Sequence, residues 1–205
     1  MPALPRDHSR WRPGYGLHMI YLIGGPPRVG KSTLAWMLLD RAGIPGCPTD
    51  ALVSMLQRAA PEHDVRHGTH PDKAVRAQSF LVEFVRAVGE GLDDSDPLDG
   101  YVVEGDIVTP AAATAAAGLG MPLSCVFLGN TELTTEHLRA APDWLDGSDD
   151  TTYRKIAAWV REQSTALREA CAASGHVYIE LGAGYAQGLE RAYSALMERA
   201  GGVQA

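Results

Sequence analysis

The sequence predicts an α/β fold, a parallel sheet covered by helices on both faces. Three observations carry this. Residues 18–25, "HMIYLIGG", are a short, continuously apolar run ending in glycines, as expected of a strand buried on both sides. Helix-forming stretches then alternate with further short apolar runs along the chain, which favours parallel strands joined by helical crossovers. The first strand also meets its helix through a glycine- and proline-rich joint, 24–30, instead of a hairpin turn.

Taken in order, "GKSTLAWMLLDRAG" (30–43) reads as a helix with Leu34, Trp36, Met37 and Leu38 as its apolar body, stopped by Gly43. "GIPGCPTD" (43–50) is a strand candidate interrupted by prolines, and "DALVSMLQRAA" (50–60) a helix closed by Pro61. A polar loop fills 61–72. The stretch 73–92 is a long amphipathic helix with Val75, Phe80, Leu81, Phe84, Val85 and Val88 as its stripe, followed by a turn at 93–100. "YVVEGDIV" (101–108) is strand three, 110–120 a small alanine-rich helix, and "PLSCVFLG" (122–129) strand four. A polar, tryptophan-bearing insert leads to a helix over 151–175, ended by Gly175. "HVYIELG" (176–182) is strand five, and 185–200 a closing helix.

With 205 residues and 45% apolar content, the chain suits one globular domain, 18–205, behind an extension at 1–17 rich in Pro, Gly and Arg. The extension lacks the apolar core of a signal peptide. A net charge of −7 argues against a nucleic-acid partner held by charge alone. Cys47, Cys125 and Cys171 are odd in number and far apart, with no zinc-like spacing, and read as reduced thiols of a cytoplasmic protein. No apolar run is long enough to span a membrane. A monomer and a homodimer both remain open.

The joint itself reads Gly25-Pro-Pro-Arg28-Val29-Gly30-Lys31-Ser32, a full match to G-x-x-x-x-G-K-[ST], with Thr33 supplying a second hydroxyl. Placed between a buried strand and a helix, such a loop turns successive N–H groups toward one point, where the helix adds its partial positive end. The spacing therefore predicts a polyphosphate cradle, with Lys31 on the outer phosphates and Ser32 on a magnesium ion. Pro26 and Pro27 cannot donate, but Arg28 to Thr33 keep their N–H groups. Gly25, Arg28, Val29, Gly30, Lys31, Ser32 and Thr33 are thus the candidate ATP and Mg2+ site.

The chain lacks the Asp-x-x-Gly and Asn-Lys-x-Asp signatures of GTPases: strand three leads to Asp106-Ile-Val-Thr109, and strand four to Asn130-Thr-Glu-Leu133. The early phosphate loop, "PTD" after strand two, "VVEGD" on strand three and "VFLG" on strand four resemble the P-loop nucleoside triphosphate hydrolase superfamily. Within it they resemble the small-molecule and nucleotide kinases, among them adenylate kinase-like, chloramphenicol phosphotransferase-like and 2-phosphoglycerate kinase-like proteins. The resemblance implies a five-stranded parallel sheet in the order 2-3-1-4-5, a three-layer sandwich, ATP on the loop, and a lid after strand four, here near 131–155. It also implies that the turn "LGAGYAQG" (181–188) packs on the adenine.

Asp50 falls at the carboxyl end of strand two, where ligands of open α/β sheets collect. There it suits a proton acceptor for an attacking hydroxyl, though Asp50 or Thr49 equally suits the cap of a helix beginning at Ala51. Glu104 and Asp106 are two apart and share a side if strand three continues; one is a candidate for holding magnesium, the other for binding substrate. Arg58, Arg66 and Lys73 are candidates to clamp an anion, offset by Glu62, Asp64 and Asp72. His63, Asp64, His67 and His70 read as a solvated loop, since Gly68 and Pro71 break any helix that would align two histidines. Arg139, Arg154 and Lys155 flank the insert and are candidate cations around a moving phosphoryl group, with plain surface charge as the alternative for each.

The expected function is transfer of the γ-phosphoryl of ATP to a hydroxyl of a small acceptor. The alternatives are a nucleoside monophosphate kinase, and an ATP-hydrolysing or sensing module touching nucleic acid through Arg6, Arg10 and Arg12.

Overall fold

In the computed structural model, residues 18–70, 72–92 and 100–201 are described, with side chains through 198. The extension 1–17, with Arg6, Arg10 and Arg12, and residues 93–99 of the turn expected at 93–100 lie outside the described residues.

The first apolar run forms β1 (Met19–Gly24), buried at every position. That burial follows from its place at the centre of a five-stranded sheet in the order β2-β3-β1-β4-β5. The other strands are β2 (Gly46–Pro48), β3 (Gly100–Gly105), β4 (Leu123–Gly129) and β5 (Tyr178–Glu180). All neighbouring pairs are parallel. The order is therefore the expected 2-3-1-4-5. β2 is an edge strand, which is why it tolerates Pro48.

Seven α-helices are described: α1 (Lys31–Ala42), α2 (Thr49–Ala59), α3 (Lys73–Gly91), α4 (Pro110–Ala117), α5 (Thr135–Ala140), α6 (Asp150–Ser174) and α7 (Tyr185–Gly201). They form the two outer layers. Successive β1 side chains point to opposite faces, so Met19, Tyr21 and Ile23 join one core with Leu34, Leu38, Val160 and Leu196. Ile20 and Leu22 join the other, with Val53, Leu81, Val85 and Phe127. Each core closes one side of the three-layer sandwich.

Several local expectations shift. Strand three ends at Gly105, leaving Asp106 in the turn beyond it, and strand five contracts to three residues. Trp36 is 68% exposed, because Leu34 and Leu38, one turn apart, face the sheet and turn Trp36 outward. Val75 is likewise exposed; the buried stripe of α3 is Ala77, Leu81 and Val85, spaced by four. The helix expected from Ala51 starts at Thr49 behind Pro48, and neither Thr49 nor Asp50 caps it. Thr49 is instead packed under Gly105, where an added Cβ would come within 1.7 Å of Thr49 Oγ1. The expected loop at 61–72 includes a 3-10 turn at Pro61–His63.

The insert after β4 has its own local chemistry. Thr134 and His137 form a reciprocal cap on α5, and Asp149 caps α6 by accepting from Thr152 N–H at 2.7 Å. A 3-10 turn, Asp143–Leu145, lies between the two helices. The Tyr153 hydroxyl donates to the Leu145 carbonyl at 3.1 Å and Arg161 to the Leu133 carbonyl at 2.8 Å, so α6 anchors the insert at two points.

Candidate active site

The loop between β1 and α1 takes a conformation that few sequences allow. Gly25 has φ +145°, Arg28 φ +71° and Gly30 φ +99°. An added Cβ at Gly25 would come within 2.2 Å of the Leu128 carbonyl oxygen, so that position requires glycine by both space and φ; at Gly30 it would meet the Tyr185 hydroxyl at 2.7 Å, and the left-handed φ is what favours glycine. Backbone alternating in handedness this way gathers N–H groups toward one point. The start of α1 adds to the effect: no side chain caps it and no acid occupies its first turn. Its first-turn donors are therefore left for an anion.

Lys31 opens α1, and its ammonium donates back to the Pro26 carbonyl at 2.9 Å. Burial lowers the lysine pKa; Asp106, Glu104 and Asp50 act to raise it, and Lys73 to lower it further. Ser32 Oγ donates to Glu104 Oε1 at 2.8 Å. Glu104 comes from the end of β3, directly beside β1, and is buried. Hydroxyl and carboxylate are hard oxygen donors, which suit Mg2+; Ser32 and Glu104 are the residues that fit such an ion.

Asp106 takes a different partner. Its Oδ2 accepts from Lys73 Nζ at 2.5 Å. Lys73 is the first residue of α3, and its side chain is only 8% exposed. The other oxygen, Asp106 Oδ1, is buried without a hydrogen-bond partner. Asp50, in the first turn of α2, keeps an exposed carboxylate, with His67 Nδ1 3.7 Å away as its nearest basic group among the described residues. His67 Nε2 and Ser54 Oγ share a hydrogen bond at 2.8 Å, tying the loop after α2 back onto that helix.

These groups border one cleft of about 1230 Å³. Lys31, Ser32, Thr33, Asp50, Glu104 and Asp106 all line it, as do Arg28 and Gly30. Gly25 shapes the loop from behind, and Val29 is buried in the core beneath. The cleft's far wall comes from the insert, through His137, Asp143 and Trp144, and from Leu181, Gly182 and Tyr185 after β5.

Four of the expected arginines lie away from the cleft lining. Arg58 is exposed on α2. Arg139 pairs with Asp150 at 2.5 Å and lies over the Tyr153 ring, and Arg154 donates to Thr151 Oγ1 at 3.4 Å. Arg66 pairs with Asp64 at 2.7 Å, so of the three residues expected to clamp an anion only Lys73 reaches the cleft. His63 packs edge-on against Phe80, and no group of three metal-ligating side chains is found among the described residues. Trp36 and Trp144 line the cleft without having been singled out from the sequence as contacts there, while Tyr185, also on the lining, belongs to the 181–188 turn. Trp36 carried one signal: a tryptophan facing away from Leu34 and Leu38 on its own helix.

The sequence matches no protein-family model and no curated protein sequence. Its structure is similar to solved kinases. A gluconokinase from Sinorhizobium meliloti 1021 aligns with TM-score 0.55 at 14% identity, over 93% of this chain and 98% of that one. A sugar kinase from Janibacter sp. HTCC2649, in unliganded form, aligns with TM-score 0.51 at 18% identity, over 91% and 98%. A shikimate kinase from Acinetobacter baumannii, in complex with shikimate, aligns with TM-score 0.50 at 15% identity, over 89% and 94%. At such identities the likeness is one of fold. What is shared with these kinases is the α/β fold, here with its five parallel strands in the order β2-β3-β1-β4-β5.

Proposed function

We propose that this chain is an ATP- and Mg2+-dependent kinase that transfers the γ-phosphoryl group to a hydroxyl of a small acceptor. The observation that carries the reading is that the phosphate loop and three carboxylates, Asp50, Glu104 and Asp106, open onto a single cleft roomy enough for two ligands.

The roles divide by partner. The loop N–H groups and Lys31 hold the outer phosphates, where charge accumulates on the transferred group. Ser32 and Glu104 hold Mg2+, which when bound neutralises phosphate charge. Asp106 is engaged by Lys73 and Glu104 by Ser32, whereas Asp50 has no lysine or arginine partner among the described residues. Asp50 is therefore the carboxylate best placed to take the proton of an attacking hydroxyl. Tyr185 and the glycine-bearing turn around it line the same cleft, which supports a role for them beside the nucleotide.

ADP release from ATP and Mg2+ should rise well above its basal rate when a suitable hydroxyl acceptor is added, and the acceptor should gain one phosphoryl group by mass. Basal ATP hydrolysis that no hydroxylated acceptor stimulates would replace the kinase reading with that of an ATPase.

A further inference from the structure

The charges along the cleft define the acceptor's chemistry, given the kinase reading above. Among the described residues, the lysines and arginines that line the cleft are Arg28, Lys31 and Lys73. Each already donates to a protein oxygen, although Arg28 Nε, buried, has no partner of its own. Lys31 belongs to the phosphate loop, Arg28 donates to Asp143 Oδ2 at 3.0 Å, and Lys73 donates to Asp106 Oδ2 at 2.5 Å. The acids are in the opposite condition. Asp50 has an exposed carboxylate without a lysine or arginine partner, and Asp106 Oδ1 is a buried acceptor atom with nothing donating to it.

A carboxylate or phosphate on the acceptor needs a cation with free donors, most effectively an arginine fork. Here every lining lysine and arginine already meets a protein oxygen, and the one orphaned donor among them, Arg28 Nε, is buried away from the cleft water; an anion would also face Asp50 and Asp106, a like-charge arrangement that rejects it. Hydroxyl and ammonium groups fit instead, because both donate to the acceptor oxygens left over.

We propose that the acceptor is a neutral or amine-bearing polyol, held by donation to Asp106 and Asp50, and that sugar acids and nucleoside monophosphates are excluded. The Lys73–Asp106 pair enforces the exclusion: Asp106 neutralises a buried lysine that would otherwise be a ready anion site.

The test is ADP release by the full chain with ATP and Mg2+ against four acceptor sets: neutral sugars and cyclitols, amino sugars and aminocyclitols, sugar acids, and nucleoside monophosphates. Stimulation is expected with the first or second set, by a factor on the order of ten or more over either anionic set. A sugar acid or nucleoside monophosphate that works as well or better overturns the acceptor class and leaves the kinase reading standing. No stimulation by any set, with ATP still bound by thermal shift, overturns the kinase reading and the acceptor class with it.

A variant gives a second readout. Asp106→Asn frees the Lys73 ammonium, so the variant should bind gluconate, used as the anionic probe, at least about tenfold more tightly than the parent, measured by calorimetry. Unchanged gluconate affinity in a variant that melts normally overturns the role of the pair. Should Asp106→Asn fold poorly, the acceptor sets on the unaltered chain decide the matter alone.

Discussion

Arg28 in the loop between β1 and α1 and Asp143 in the insert, 115 positions apart, are joined by an ion pair at 3.0 Å. Both hold a left-handed backbone, φ +71° at Arg28 and +51° at Asp143, unusual for residues with side chains. The Arg28 side chain is 16% exposed and that of Asp143 70%. The pair thus links the two sides of the cleft through one arginine and one mostly solvated acid.

Asp143→Ala should break this link at little cost to global stability, since exposed pairs contribute about 0–1 kcal/mol. A melting shift of no more than about 4 °C is expected. Hydrogen exchange over 141–148 should quicken, and the gain should fade in the parent at high salt, which screens the pair. Unchanged exchange in that segment means the insert is held by its other anchors, Tyr153 and Arg161.

Lys31→Met should lower turnover by a factor on the order of a hundred or more, because charge is lost where phosphate charge develops. Stability of the free protein should move the other way. Burial lowers the folded-state pKa of Lys31 below 10.5, its ordinary value, so the folded chain sheds this proton before the unfolded chain does. In the window below 10.5 the unfolded state binds more protons, and stability rises with pH. Methionine avoids burying an ammonium, so the variant should melt no lower than the parent at neutral pH, with its advantage shrinking as pH rises. Melting curves from neutral to alkaline pH without nucleotide check this. An advantage that grows with pH contradicts the sign.

Asp50→Asn should leave both melting temperature and ATP binding nearly unchanged. The side chain caps nothing, and its remaining tie to α2 is the end-charge effect, about 0.3–1 kcal/mol at the surface. Acceptor phosphorylation should fall by a factor on the order of a hundred or more if Asp50 takes the proton. Transfer at the parent rate would move the base to Glu104 or Asp106.

Gly105→Ala should destabilise the chain by about 1–3 kcal/mol, because its Cβ would meet Thr49 Oγ1 at 1.7 Å. Gly105 sits between Glu104 and Asp106 and supports the start of α2, so transfer should suffer as well. Adding Thr49→Ala should recover part of the loss, giving a double-mutant cycle that departs from additivity. Additive losses would place the strain elsewhere.

The sheet and the tight glycine-bearing joint between β1 and α1 were legible because their signals are local. β1 is a continuous apolar run, and the loop is a fixed spacing of glycines, lysine and hydroxyl whose mechanism demands a strand before and a helix after. Lys73 was legible only as one of several nearby basic residues; its burial against Asp106 depends on α3 meeting the turn after β3. Arg58 failed for the same reason, because the helix face that α2 gives to the core is set by Leu52, Val53 and Leu56 and turns Arg58 outward. Asp50 and Thr49 looked like caps because short oxygen-bearing side chains favour the place just before a helix. The helix starts at Thr49, whose side chain packs against Gly105, a contact between distant positions that no local pattern records.

Three of the chain's four tryptophans, Trp36, Trp144 and Trp159, border the cleft, each on a different element. Trp36 stands on α1 and Trp144 in the 3-10 turn of the insert, both largely in water, while Trp159 on α6 is half-buried. Indole emission depends on the polarity around the ring, so the molecule carries its own optical gauge of how the cleft fills. A ligand that drew the insert toward α1 would dry two water-exposed indoles at once and shift their emission to the blue. One seated only on the phosphate loop would leave both rings wet. Nucleotide binding and cleft closure are thus separable by the colour of the protein's own light, with no label attached.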